Sequence, residues 1–117
     1  MNVEAIAESI LRGQPLVARS LVLGWLSSSP DIERELLPNS RDQRVLALSA
    51  ALVQLLAERL GQRSPDWTGQ VHALQEPLYL LRSAATMPRL RRLCEEQSPG
   101  PLRRRNLFAP ADYLTFA

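Results

Sequence analysis

The chain has 117 residues and a net charge of only +2, which suits a single domain with a modest core. Hydrophobic residues make up 45% of the chain and aromatic residues 5%, a balance that argues against a β-sandwich and favours helices packed on helices. The charge is also weaker than the basic footprint of a dedicated DNA-binding domain. We therefore predict one all-α domain.

The cysteine and the N-terminus indicate the compartment. The single cysteine, Cys94, has no partner for an internal disulfide, and Glu4 and Glu8 lie where a secretory signal carries positive charge. The longest apolar stretches, residues 21–26 and 45–53, are far shorter than the roughly 20 residues that span a bilayer. The sequence predicts a cytoplasmic protein without a membrane span.

Two helices are predicted at the N-terminal end. Apolar residues recur at helical spacing from Val3 to Leu11, and Gly13 is expected to end that helix. Pro15 is expected to begin the second helix, which is apolar on nearly every face. Its large apolar residues are Leu16, Val17, Leu21, Val22, Leu23, Trp25 and Leu26. We predict that this second helix is the central one.

The longest helix is predicted from Arg41 to about Gly61. Ser40 and Gln43 have the spacing of a capping box, and apolar residues then follow a three-then-four rhythm that starts at Val45. This apolar stripe covers too few heptads for an extended coiled coil. The segment therefore belongs to a globular helical core.

Prolines divide the second half of the chain into short elements. Pro65, Pro77 and Pro88 are each placed to begin a short helix, the second of them running through Leu81. The run from Pro99 to Pro101 prevents further helix. We predict a compact bundle of about five to six short-to-medium helices over residues 1–117, ending in an irregular basic tail, residues 98–117.

No catalytic, cofactor or metal motif accompanies these elements. His72 is the only histidine and has no cysteine pair or second histidine at ligand spacing. Cys94 follows an apolar rhythm typical of a core residue, although neighbouring Arg91 and Arg92 would lower the pKa of an exposed thiol. We predict that the protein is not an enzyme and holds no cofactor or metal.

The arginines of the tail are the strongest functional signal. If their segment is extended, alternation places Arg103 and Arg105 on the outer face and Arg104 on the inner one. An inward guanidinium would anchor the tail to the helices through buried polar partners. The outward pair, with Arg89 and Arg92, could instead bind an acidic protein surface or phosphates.

Large apolar residues follow these arginines. They are Leu107, Phe108, Tyr113, Leu114 and Phe116. They would dock either on this protein's own core or on a partner, since arginine and aromatic residues are enriched at interfaces. The predicted partner-binding residues are Arg103, Arg104, Arg105, Phe108 and Tyr113. Trp67 is expected to be a structural neighbour.

Three stretches together resemble a known group of proteins. They are residues 6–21 (IAESILRGQPLVARSL), 64–79 (SPDWTGQVHALQEPLY) and 98–114 (SPGPLRRRNLFAPADYL), with their most specific elements at Pro65-Asp66-Trp67-Thr68, Glu76-Pro77 and Arg103-Arg104-Arg105-Asn106. The chain is similar to a loosely defined group of small bacterial helical proteins, some encoded in toxin–antitoxin-like gene pairs. The resemblance implies a non-enzymatic, partner-binding role.

The sequence thus predicts a protein-binding module, an antitoxin-like or accessory regulatory subunit. Its expected partner is a protein such as a cognate toxin, and a homo-oligomer is a further expectation. The alternative is a nucleic-acid-binding protein that uses the C-terminal arginines, whose affinity would fall steeply with salt.

Overall fold

The fold is mainly helical, in agreement with the sequence: 58% of the residues that the structure describes are helical and 4% are in strands. A computed structural model describes residues 3–115. Within this range the helices are α1 (Val3–Leu11), α2 (Pro15–Ser27), α3 (Gln43–Leu60), α4 (Pro88–Gln97) and α5 (Gly100–Arg103). The strands are β1 (Leu78–Tyr79) and β2 (Leu107–Phe108), and 3₁₀ turns lie at Ile32–Arg34, Asp66–Gln70 and Arg82–Ala85.

The junction between α1 and α2 forms as the sequence predicts. Gly13 ends α1 in the left-handed conformation at φ 71°, where a side chain would be strained. Its amide donates to the Ile10 carbonyl at 3.0 Å. Pro15 then begins α2. Its fixed φ suits the first helical position, and the N–H that proline lacks would have no hydrogen-bond partner there. The two helices therefore pack side by side.

Helix α3 is the centre of the molecule, and the prediction that α2 is central was wrong. α3 packs against α1, α5 and the 3₁₀ turns at Ile32–Arg34 and Asp66–Gln70, whereas α2 packs chiefly on α1. Eleven residues of α3 are buried, against three of α2. The alanines of α3 allow close approach on several sides, which the larger side chains of α2 do not.

The N-cap of α3 differs by two residues from the one expected. Asp42 is the cap, and its Oδ1 accepts a hydrogen bond from the Arg44 amide at 2.9 Å. Ser40 instead accepts from the Asp42 amide at 3.1 Å and supports the turn before the helix. Gly61 ends the helix in the left-handed conformation at φ 67°, as the sequence predicts.

The segment after Pro77 and the C-terminal segment pair with each other, which corrects two predictions. Residues 78–79 were expected to be helical, and 98–117 irregular, but β1 and β2 form a parallel ladder with Leu78 opposite Leu107. The Leu78 amide donates to the Asn106 carbonyl at 3.0 Å. Parallel strands need a long crossover, here α4 and α5, so this pairing has no local sequence signal.

The described part of the C-terminal segment, residues 98–115, belongs to the core. Leu102, Leu107 and Ala109 are fully buried in the cluster formed by α1 and α3. Ser98 also faces inward, and its hydroxyl donates to the Leu107 carbonyl at 2.9 Å. None of the helices within residues 3–115 has the length and apolar character that crossing a membrane requires.

Candidate functional site

The three consecutive arginines point in different directions because α5 is helical rather than extended. Arg103 and Arg104 are exposed, whereas Arg105 is buried with 6% of its surface exposed. The prediction that Arg104 faces inward and Arg105 outward was therefore wrong. Successive residues of a helical turn are separated by about 100°, so the alternation of a strand does not apply.

Arg105 holds the C-terminal segment to two other elements. Its Nη1 donates to Gln54 Oε1 of α3 at 2.7 Å and to the Pro101 carbonyl at 3.1 Å. Its Nη2 donates to the Thr68 carbonyl at 2.6 Å. An inward arginine does anchor this segment, as one interpretation of the sequence held, but the residue is Arg105. It is not available to a partner.

The Arg105 guanidinium is buried among neutral acceptors. Burial lowers its pKa, and the positive charge of Arg104 lowers it further. Its Nε has no hydrogen-bond partner in the structure. Gln54 and Thr68 complete the network, since Gln54 Nε2 donates to Thr68 Oγ1 at 3.1 Å. Buried polar networks of this kind fix the relative positions of the elements that they join.

Arg103 also has a structural contact. Its Nη2 donates to the Glu96 carbonyl at 2.6 Å, and thereby binds a backbone acceptor left free at the C-terminal end of α4. Arg104, in contrast, makes no side-chain hydrogen bond or ion pair with any residue in the range 3–115. Of the three arginines, Arg104 alone presents an unengaged guanidinium in the described range.

The two predicted aromatic anchors pack on this protein itself. Phe108 is half-buried and stacks on Tyr79 of β1 with ring centroids 5.4 Å apart. The Tyr79 hydroxyl donates to Glu95, and the Arg91 guanidinium lies 4.8 Å from the Tyr79 ring centroid. Tyr113 packs against the core, and this burial raises its pKa above the ordinary value.

Two further aromatic residues were considered at the sequence level. Trp67 is structural as expected, because its Nε1 donates to the Glu35 carbonyl at 2.8 Å. Phe116 lies outside the described residues. Trp67, Tyr79 and Phe108 therefore hold separate segments of the chain together.

The outer side of α4 carries arginines that sequence reasoning placed with the tail. Arg89 and Arg92 are exposed and form no ion pair with an acid in the described range, whereas Arg91 pairs with Glu95 at 3.5 Å. A shallow groove of about 240 Å³ lies here. Pro88, Arg89, Arg92, Leu93 and Glu96 line it. We call Arg89, Arg92 and Leu93 the arginine surface.

Helix α2 presents a second surface, which sequence reasoning missed. The exposed fractions of Leu16, Val17 and Leu23 are 77%, 47% and 42%. Its inner side contacts the core through Ala18, Val22 and Trp25. We call the exposed residues within one arc of roughly 120° the α2 outer face. They are Leu16, Val17, Ser20, Leu23, Gly24 and Ser27.

A sequence signal for the α2 outer face does exist. Ser20, Gly24 and Ser27 are small, fall on one side of the helical projection, and are unsuited to filling a core. Their spacing separates an outer from an inner side even though the helix contains many large apolar residues. The apolar content alone led to the prediction that α2 is the central helix, with no outer side.

Neither residue considered for catalysis lines the groove or belongs to the α2 outer face. His72 is exposed, and Cys94 is fully buried, as its apolar rhythm predicts. Burial raises the pKa of the Cys94 thiol, which is opposite to the activated thiolate that an exposed position beside arginines would give. Within residues 3–115 no group of three or more His, Cys, Asp or Glu residues could hold a metal ion.

Comparison with protein-family models, curated proteins and solved structures finds no match. A functional proposal therefore rests on the two surfaces described above. One is basic and grooved, and the other is apolar and uncharged.

Proposed function

We propose that this protein is a non-enzymatic, cytoplasmic module that binds another protein, as an antitoxin-like or accessory regulatory subunit, and that the arginine surface makes the contact. The observation that carries the proposal is the exposure of Arg89 and Arg92 beside an open groove without an ion-pair partner in the described range. Free guanidinium groups of this kind suit the planar carboxylates of a partner protein.

The surroundings of these arginines support a protein partner. Leu93 is 38% exposed in the same groove and supplies the apolar contact that protein interfaces usually combine with arginine. Glu96 also lines the groove, and its carboxylate would repel a partner's phosphates and carboxylates alike, so the preference for a protein rests on Leu93. We therefore place an acidic protein surface ahead of nucleic acid, which remains the alternative function for the same arginines.

The sequence-level set of contact residues changes accordingly. Arg104 stays a proposed contact residue because its guanidinium is exposed and unengaged, and Arg89 and Arg92 are added to the set. Arg103 and Arg105 are assigned to structural roles because their guanidinium groups already bind backbone and side-chain acceptors within the chain. Phe108 and Tyr113 contribute by holding β2 and the following segment in place.

The proposal is tested by capturing partners of the tagged 117-residue chain from its native lysate, with and without nuclease, at low and high salt. The variant Arg89→Ala/Arg92→Ala should lose a stoichiometric protein partner that the wild type retains after nuclease treatment. The matched control is Arg41→Ala/Arg63→Ala, which removes the same charge from exposed positions elsewhere and should retain the partner.

Two results would overturn the protein-binding assignment. Loss of the partner from both double variants would mean that overall charge, not this surface, governs binding. Capture of nucleic acid at low salt, with every protein partner lost on nuclease treatment, would establish the alternative instead.

A further inference from the structure

We infer that the α2 outer face binds a second copy of this chain, forming a weak, parallel, two-fold dimer through α2. This inference does not depend on the arginine surface. It rests on the exposure of Leu16, Val17 and Leu23, three large apolar residues that share the α2 outer face with Ser20, Gly24 and Ser27, on a helix that is otherwise packed against α1. Exposed apolar patches on monomers commonly mark interaction sites.

Gly24 indicates that another backbone approaches this face. A glycine inside a helix destabilises it relative to alanine, so such a residue normally has a packing reason. At Gly24 a Cβ atom would meet nothing within 4 Å, and the backbone is not in the left-handed region. The fold of the single chain therefore gives no reason for this glycine. A neighbouring helix packed closely against α2 would give one.

The absence of charge makes this face compatible with its own copy. Arg19 is the one charged residue of α2, and it falls outside the arc of the α2 outer face. An isologous contact places the same patch on both sides, so a charged face would set like charges opposite each other. The uncharged stripe avoids that repulsion, and it offers nothing that would select a highly charged partner.

The positions around the helix fit a parallel pair. Leu16 and Leu23 lie on one edge of the arc, and Val17 and Gly24 lie on the other. When two parallel helices are related by a two-fold axis along their length, the Leu23 edge of one copy lies opposite the Gly24 edge of the other. Gly24 then forms a notch that accepts the Leu23 side chain, as ridges fit grooves between packed helices.

The size of the face sets the strength of the association. α2 has 13 residues and is about 20 Å long, so one face of it buries less than the roughly 800 Å² per partner of a standard interface. Interfaces at this lower end are usually transient. The dimer should therefore be seen at high protein concentration and dissociate on dilution.

The test is sedimentation equilibrium of the full chain from micromolar to millimolar concentration. The wild type should rise from the 13.1 kDa monomer toward twice that mass. Gly24→Ala should weaken the dimer about tenfold or more, while its unfolding temperature rises by several degrees through the gain in helix propensity. Gly69→Ala is the matched control, because Gly69 is equally unobstructed but lies outside α2, and it should dimerise as the wild type does.

A second pair of variants tests the apolar contact. Leu16→Glu should abolish association, whereas Leu36→Glu should leave it unchanged, although the two leucines are 77% and 79% exposed in the monomer. A wild type that remains monomeric throughout would overturn the inference. Equal dimerisation of the wild type, Gly24→Ala and Leu16→Glu would also overturn it, because the contact would then lie elsewhere on the molecule.

Discussion

Helix α2 has the composition of a core helix but lies at the surface, whereas the C-terminal segment, residues 98–115, has the composition of a surface tail but packs into the core. α2 is rich in leucine and valine, yet Leu16 lies 77% exposed at the edge of the molecule. The C-terminal segment is rich in arginine and proline, yet Leu102 and Leu107 are fully buried beside α3. Apolar content therefore did not decide which of the two segments is central.

The difference lies in what each segment can offer to α3. The C-terminal segment supplies both apolar side chains and polar groups that complement α3, because Arg105 satisfies Gln54 while Leu102 fills the core. α2 supplies side chains on every side but meets the rest of the chain mainly at α1. Burial follows from complementary surfaces that meet in space, and these surfaces come from residues distant in sequence.

The largest expected difference in unfolding free energy comes from replacing one leucine in each of these two regions. Leu107→Ala should lower the free energy of unfolding by about 2–5 kcal/mol, because it opens a cavity at a fully buried position. Leu16→Ala should change it by no more than about 0.5 kcal/mol, because the side chain is already mostly in water. Urea unfolding followed by circular dichroism at micromolar protein concentration measures both. Similar losses from the two substitutions would contradict the assignment of core and edge.

A second test compares adjacent arginines within the C-terminal segment. Arg105→Ala should cost about 2–3 kcal/mol, because it leaves buried acceptors on Gln54 and Thr68 without their charged donor. Arg104→Ala should be neutral or slightly stabilising, because it removes a like charge that lowers the Arg105 pKa. Equal losses in urea unfolding would mean that Arg105 is not the anchor.

The same network predicts coupling between α3 and the C-terminal segment. Combining Gln54→Ala with Arg105→Ala should cost less than the sum of the single losses, by at least about 0.5 kcal/mol, because each removes the partner of the other. Additive losses would show that the hydrogen bond between these two side chains contributes nothing to docking.

Local signals in the sequence predicted the regular elements of the N-terminal half. Gly13, Pro15 and Gly61 mark helix boundaries through their own backbone preferences, so those boundaries agree with the structure. The pairing of β1 with β2 joins residues 29 positions apart, Leu78 with Leu107, and depends on a crossover through α4 and α5. No preference of a single residue specifies such a pairing, which explains the helix wrongly predicted after Pro77.

The candidate site was predictable in composition but not in orientation. The sequence indicated one inward arginine of the three, but on the alternation of an extended segment, which the structure does not have. Which one depends on whether residues 100–103 form a helical turn, and Gly100 flanked by prolines suggested that they do not. Arg103 was misjudged for the same reason, because its capping contact requires the end of α4 to lie beside α5.

The last expected effect, confined to alkaline solution, is a pH dependence that reports docking of the C-terminal segment. Burial raises the pKa of Tyr113, so the unfolded chain loses this proton at a lower pH than the folded protein does. The buried, protonated Tyr113 side chain should therefore contribute its full share of the free energy of unfolding below about pH 10, the ordinary tyrosine pKa. Above that pH the contribution should fall by up to about 1.4 kcal/mol per pH unit.

Tyr113→Phe should flatten this alkaline loss, because phenylalanine packs similarly and carries no titrating group. Urea unfolding of both proteins between pH 9 and pH 11 measures the difference, and the alkaline titration of the buried Cys94 thiol is common to both. Parallel profiles for the two proteins would show that Tyr113 is solvated, and that the end of the C-terminal segment does not pack on the core. A steeper loss of unfolding free energy with pH for the wild type would show that Tyr113 is buried. The C-terminal segment would then be packed on the core as far as the last described turn of the chain, in contrast to the exposed face of α2.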